Sequence, residues 1–189
     1  DAPLHTRVRK AIAGALSPRA ISGMDSVVQR LVDQLLDDIA ARANDGLTID
    51  GVADFAQNIP IEVIGNLLAI PRHERDPLRS WSLAILGALE PEIDAAQFTD
   101  GEHAVRDFLA YLEALVARRR AEGVDDAPDI MARLIRETGE AEDDANLLPH
   151  ELLQNAIFIL NAGHETTTNL ICSGIWLLSQ RPEIVARLN

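Results

Sequence analysis

From His150 to Arg181 the chain runs without a proline, and a helix drawn through this stretch has no clearly polar face. A helix that is apolar on nearly all sides belongs in the middle of a protein, packed by other elements. Drawn from Pro149 to Gln180, it would be roughly 45 Å long, the width of a sizeable domain. A membrane span is the competing reading, and it fails on length. The longest unbroken apolar run is Ala156 to Leu160, against the ~20 residues a span requires. Gln154, Asn155, Asn161, His164, Glu165 and Asn169 would also sit in lipid at high cost.

The elements that must pack around such a helix are helical too. Val28, Leu31, Val32, Leu35, Leu36 and Ile39 recur at three- and four-residue steps, as do Val105, Phe108, Leu109, Leu112, Leu115 and Val116. Both are stripes of amphipathic helices. Ser17-Pro18 reads as a cap and a first-turn proline. Pro60 and Pro71 bracket a short apolar helix from Ile61 to Ile70. Further helices are expected over Leu78 to Leu89 and Asp129 to Thr138, and an exposed acidic loop over Gly139 to Asn146. Leu47-Thr48-Ile49 is the one short stretch with strand character. The expected fold is mainly α, with a long buried central helix and at most that strand.

Composition removes several functions. The 189 residues carry 30 acidic and 17 basic side chains, a net charge of −13. With no basic run longer than Arg118-Arg119-Arg120, nucleic acid is excluded as an expected partner. A single cysteine, Cys172, cannot build an internal disulfide framework or a multi-cysteine zinc site. No signal peptide is legible, which suggests a cytoplasmic setting. The sequence starts at Asp1 without a methionine and stops at Asn189 within a helical pattern, so it reads as an internal fragment.

Within the long helix, Asn161-Ala162-Gly163-His164-Glu165-Thr166-Thr167-Thr168-Asn169 breaks local rules together. Glycine costs about 1 kcal/mol relative to alanine in a helix interior. Three successive threonines are β-branched, and their hydroxyls can bond carbonyls one turn back. A zinc-peptidase site needs His-Glu-x-x-His, and Thr168 stands where the second histidine would be. Two readings remain: a satisfied polar patch in the core, or a place where small residues let the helix pass closely over a flat cofactor.

Ala162-Gly163-His164-Glu165-Thr166-Thr167 resembles the oxygen-activation motif of the cytochrome P450 family, Ala/Gly-Gly-x-Asp/Glu-Thr-Thr/Ser. Asp1-Ala2-Pro3-Leu4-His5-Thr6-Arg7-Val8-Arg9 is similar to that family's Asp-Pro-Pro-x-His-x-x-x-Arg block, with Ala2 in place of a proline. The blocks Ile59 to Pro71, Trp81-Ser82 and Leu177 to Arg187 follow in order, as in the soluble bacterial type. The resemblance implies that residues 1–189 are an internal part of one haem-thiolate monooxygenase domain. Such an enzyme uses haem and O₂ to insert one oxygen atom into a small, apolar organic substrate. Its electrons would come from NAD(P)H through a ferredoxin, a flavodoxin or a fused reductase.

The same resemblance distributes roles. His5 and Arg9, four apart on one helix face, would bond a haem propionate. Ala162 and Gly163 would lie over the haem where the helix opens. Thr166 would hydrogen-bond the activated dioxygen, and Glu165 would pass it a proton from solvent. The segment from Ala84 to Asp100 would cover the substrate, with Leu86, Leu89 and Ile159 against it. Trp81, Phe108 and Trp176 are expected in the packing, and His73, His103 and His150 at the surface.

Two family features are absent from the sequence. There is no Phe-x-x-Gly-x-x-x-Cys-x-Gly loop, and no Glu is followed three residues later by Arg. Cys172, set within the long helix, reads as a small hydrophobe and not the iron ligand, so residues 1–189 alone would be inactive. The reading from another class is a non-catalytic helical ligand-binding or regulatory module that keeps the fold.

Overall fold

A computed structural model describes residues 4–15, 21, 23–125, 127, 129–139 and 147–188. The Asp1-Ala2-Pro3 part of the first motif, the Ser17-Pro18 cap and the acidic segment 140–146 lie outside the described residues. Eight α-helices are described: α1 Leu4–Ala15, α2 Asp25–Asn44, α3 Asn58–Leu67, α4 Asp76–Gly87, α5 Ala95–Glu122, α6 Ile130–Arg136, α7 Pro149–Ser179 and α8 Pro182–Leu188. A π-helical turn, Gly51–Ala56, precedes α3, and a 3-10 turn, Arg72–Glu74, follows it.

No strand forms among the described residues; Thr138 and Leu147 make one isolated bridge. Leu47-Thr48-Ile49, expected as a strand, is irregular, and Leu47 and Thr48 are exposed. A strand needs a ladder partner, and here the Leu47 amide donates back to the Arg42 carbonyl at the end of α2 instead.

The short apolar helix starts earlier than its proline bracket suggests. Pro60 lies inside the first turn of α3, where its missing N–H has no intrahelical partner to lose. Beyond α3 the chain turns through Ala69, a non-glycine residue at φ 53°, a conformation that costs an L-residue roughly 1–3 kcal/mol. The buried Arg75 holds this turn. Its Nε and Nη2 donate to the Ile70 carbonyl at 2.9 and 2.7 Å. Its Nη1 reaches the Glu62 carboxylate at 2.7 Å, and its Nη2 also reaches Asn66 Oδ1 at 2.8 Å. Gly65 makes room for it: a Cβ there would stand 2.4 Å from Arg75 Nε.

Helices α4 and α5 form a close antiparallel pair. Trp81 stacks on Phe108 with ring centroids 5.0 Å apart. A Cβ on Gly101 would meet the Ala88 methyl at 2.4 Å and the Ala84 carbonyl at 3.2 Å, so the backbones approach where side chains are smallest. Asp94 and Gln97 close a capping box that starts α5. Tyr111 and Arg118 of α5 both donate to Glu74 Oε2, at 2.6 and 2.8 Å, which ties the 3-10 turn to α5.

Helix α7 packs against the π-helical turn and α3, α4, α5 and α6. Leu152, Ala156, Leu160, His164 and Thr168 are its deeply buried face. A four-residue spacing drifts about 40° per step, so this face winds slowly around the helix. The all-round burial expected for this helix does not hold: Phe158, Leu170, Ile175, Trp176 and Leu177 are exposed, Trp176 by 62%. Trp81 and Phe108 pack as expected and Trp176 does not, because no described element covers the last turns of α7 on that side. No described helix is long and apolar enough to cross a membrane.

Candidate functional site

The nine-residue polar stretch lies in the middle of α7, which stays helical through it. The opened helix expected here is absent, because the threonines work within the helical pattern. Thr166 Oγ1 donates to the Ala162 carbonyl at 2.6 Å, and Thr168 Oγ1 to the His164 carbonyl at 2.9 Å. The Thr166 hydroxyl has thereby used its one proton and keeps its lone pairs to accept from a visitor.

Successive residues point 100° apart, so the motif divides among faces. His164 and Thr168 are buried, Gly163 and Thr167 half-buried, and Ala162, Glu165, Thr166 and Asn169 exposed. Glu165 thus meets solvent directly. Gly163 does not leave a gap on all sides: a Cβ there would stand 3.0 Å from Ile64 Cδ1 of α3. Its missing side chain lets α3 and α7 close together.

Two cavities run along the face of α7 that looks toward α1 and α3. The first, about 440 Å³, is lined by His5, Arg9 and Ile12 of α1 and by Asn155 and Phe158 of α7. The second, about 350 Å³, lies between Ile59, Ile64 and Leu67 on one side and Ile159, Ala162, Gly163 and Thr167 on the other. Ile12 and Phe158 line both, so the two cavities adjoin. A cation and an imidazole line the first, and small apolar residues the second. Five sequence-selected residues, His5, Arg9, Ile159, Ala162 and Gly163, are thus brought together across some 155 positions of sequence. Glu165 and Thr166 follow directly on the exposed side of the same turn.

Leu89 lies elsewhere. It is 74% exposed and borders a separate cavity of about 590 Å³ between α4 and α5, with Ile85, Phe98 and Gly101. Leu86 is half-buried and lines none of these three cavities. Cys172 is half-buried in α7. His73, His103 and His150 are at the surface, as expected.

Two residues escaped the sequence reading. Arg75 gives no periodic signal, because its partners are a turn carbonyl and the polar side chains of Glu62 and Asn66 on the preceding helix. His164, weighed above only as a polar residue and as the first histidine of an incomplete zinc motif, is 2% exposed, with Nδ1 3.2 Å from Ser82 Oγ of α4. Burial, with Arg79 nearby, pulls its pKa below the ordinary 6.5, so the ring is neutral at pH 7. The signal was its place four residues after Leu160 and four before Thr168.

A model of the cytochrome P450 family matches residues 92–189. The chain belongs to the cytochrome P450 family. Cytochrome P450 107B1 of Saccharopolyspora erythraea is 32% identical over 188 residues, covering all of this chain and 42% of that protein. Cytochrome P450 monooxygenase PikC of Streptomyces venezuelae is 34% identical over 188 residues, with the same coverage. Among solved structures, P450BioI in complex with an acyl carrier protein bearing hexadec-9Z-enoic acid superposes with a TM-score of 0.86 at 25% identity. It covers all of this chain and 46% of that one. Myxobacterial cytochrome P450 CYP267B1, with myristic acid, gives a TM-score of 0.82 at 35% identity, covering all of this chain and 43% of that one. The P450 chain spans less than half the length of the relatives it matches, and its helices follow the P450 fold throughout.

Proposed function

We propose that residues 1–189 are the oxygen-activating part of a longer P450 monooxygenase, one domain whose thiolate ligand comes from sequence beyond this chain. The carrying observation is the pair of adjoining cavities along α7, one lined by His5 and Arg9 and the other by Ala162 and Gly163. It suits haem, a flat apolar macrocycle with carboxylate tails. Guanidinium and imidazole groups are natural partners for the carboxylates, and Ile12, Phe158, Ala162 and Gly163 offer an apolar wall. When bound, haem supplies the activation of O₂ by two electrons, and the protein supplies orientation and protons. The electrons derive from NAD(P)H through a ferredoxin- or flavodoxin-type donor or a fused reductase.

The chain's own residues have distinct tasks in this reading. Arg9 and His5 anchor the propionate end. Ile159 and its aliphatic neighbours exclude water and favour an apolar substrate. The exposed Glu165 carboxylate takes a proton from solvent and passes it to the Thr166 hydroxyl, which gives up its own proton in turn as it turns away from the Ala162 carbonyl. Replacing Thr166 with Ala is expected to leave haem binding intact and to divert reducing equivalents into hydrogen peroxide. An unchanged ratio of product to reductant consumed would remove Thr166 from the path. Replacing both His5 and Arg9 with Ala should weaken haem retention, measured as the rate of haem transfer to an acceptor protein. If titration of the full-length protein with haem gives no absorption change, the non-catalytic ligand-binding module becomes the better account.

A further inference from the structure

His164 has no part in the proton path above, yet it is the most deeply buried polar side chain of the motif. Its ring meets α4 at Ser82, itself fully buried, with Nδ1 3.2 Å from Oγ. Its Nε2 is buried without a hydrogen-bond partner. An orphaned N–H costs more than an orphaned lone pair. The favoured tautomer therefore carries its proton on Nδ1, donates to Ser82 Oγ and leaves Nε2 bare. The residue is also pinned from behind, because its carbonyl accepts from Thr168 Oγ1 at 2.9 Å.

The surroundings explain why such a bond matters. Helices α4 and α7 are in contact, and Leu78 and Ile85 of the one and Ala156 and Leu160 of the other belong to the same buried apolar core. Apolar contact is non-directional and fixes the rotation of a helix only loosely. A hydrogen bond across the contact is directional. Glu165 and Thr166 follow His164 at 100° and 200° around the axis, so whatever fixes the direction of His164 fixes theirs. Ser82 in turn follows Trp81, which is stacked on Phe108 of α5. The position of Ser82 therefore reports how the α4–α5 pair is seated.

We propose that the Ser82–His164 hydrogen bond is a positioning contact, which sets the direction of Glu165 and Thr166 and couples it to the seating of the α4–α5 pair on α7. Its consequence for oxygen chemistry rests on the monooxygenase reading; the contact itself does not. The test uses the full-length protein, with and without haem, as Ser82→Ala, His164→Phe and His164→Asn variants. Asparagine places its amide near the position of Nδ1, so it can keep the bond to Ser82.

Amide hydrogen exchange over 165–168 should quicken about five- to tenfold in Ser82→Ala and His164→Phe, the scale of one lost hydrogen bond, and stay near wild type in His164→Asn. In the haem-loaded protein, hydrogen peroxide release with NADPH and a ferredoxin system, without added substrate, should rise severalfold in the first two variants only. Unchanged exchange in Ser82→Ala overturns the proposal, and that variant decides if His164→Phe fails to fold. Faster exchange with unchanged peroxide release overturns the positioning role and leaves a packing contact. If the wild type binds no haem, the monooxygenase reading falls, and with it the catalytic consequence, while exchange still decides the contact.

Discussion

At the scale of single residues, the strongest local commitments lie away from the motif. Arg75 joins two carbonyl bonds of a strained turn to one carboxylate and one amide. Removing it strands several acceptors at once, and breaking a buried charged cluster from one side costs about 3–5 kcal/mol. Arg75→Met is therefore expected to lower the stability of the full-length protein by about 3 kcal/mol, read from denaturant midpoints. A midpoint within error of wild type would show that water replaces the guanidinium. Gly65→Ala should act in the same direction, since its new methyl would collide with Arg75 Nε. The two losses should not add, because both break one arrangement.

At the scale of elements, α4 and α5 are joined by smallness. Gly101 faces Ala84 and Ala88, and the missing Cβ is what lets the helices touch. Gly101→Ala raises helix propensity by about 1 kcal/mol. It also forces the helices apart, and overpacking costs about 1–3 kcal/mol. The obstacle is backbone and a stub methyl, neither of which can swing away, so the steric term wins and a net loss of stability is expected. A higher melting temperature for this variant would refute the close approach. Helix existence was legible from sequence here, because stripes such as Phe108-Leu112-Leu115 need no knowledge of partners. Helix ends were less so: α3 begins at Asn58, before the proline that seemed to open it.

At the scale of the whole molecule, pH should act through two groups in separate windows. His164 has a folded pKa below 6.5, so the unfolded chain binds the proton more readily. The stability that its neutral burial contributes is complete above pH 6.5 and is lost as pH falls from there toward the folded value. Glu74 is held below its ordinary 4.5 by the Arg118 guanidinium and the Tyr111 hydroxyl. Its contribution is present above pH 4.5 and disappears as pH falls through the lower folded value. Stability between pH 7 and 5 should therefore slope downward with acid in the wild type and flatten in His164→Asn. An equal slope in both would assign that window to other groups.

What the sequence by itself determined was carried by local order: helical periods, the reach of α7, and the oxygen motif with the His5–Arg9 spacing that signals the family. These depend on residues a few positions apart, or on motifs that travel as units. What only the tertiary structure decided was the meeting of distant pieces. It set α1 beside α7 along two adjoining cavities and put Leu89 in a different cavity from Ile159. It filled the space at Gly163 with Ile64, bared Trp176, and turned His164 inward onto Ser82. Such outcomes depend on which helix faces which, and a one-dimensional pattern records only that a face exists, not what will cover it.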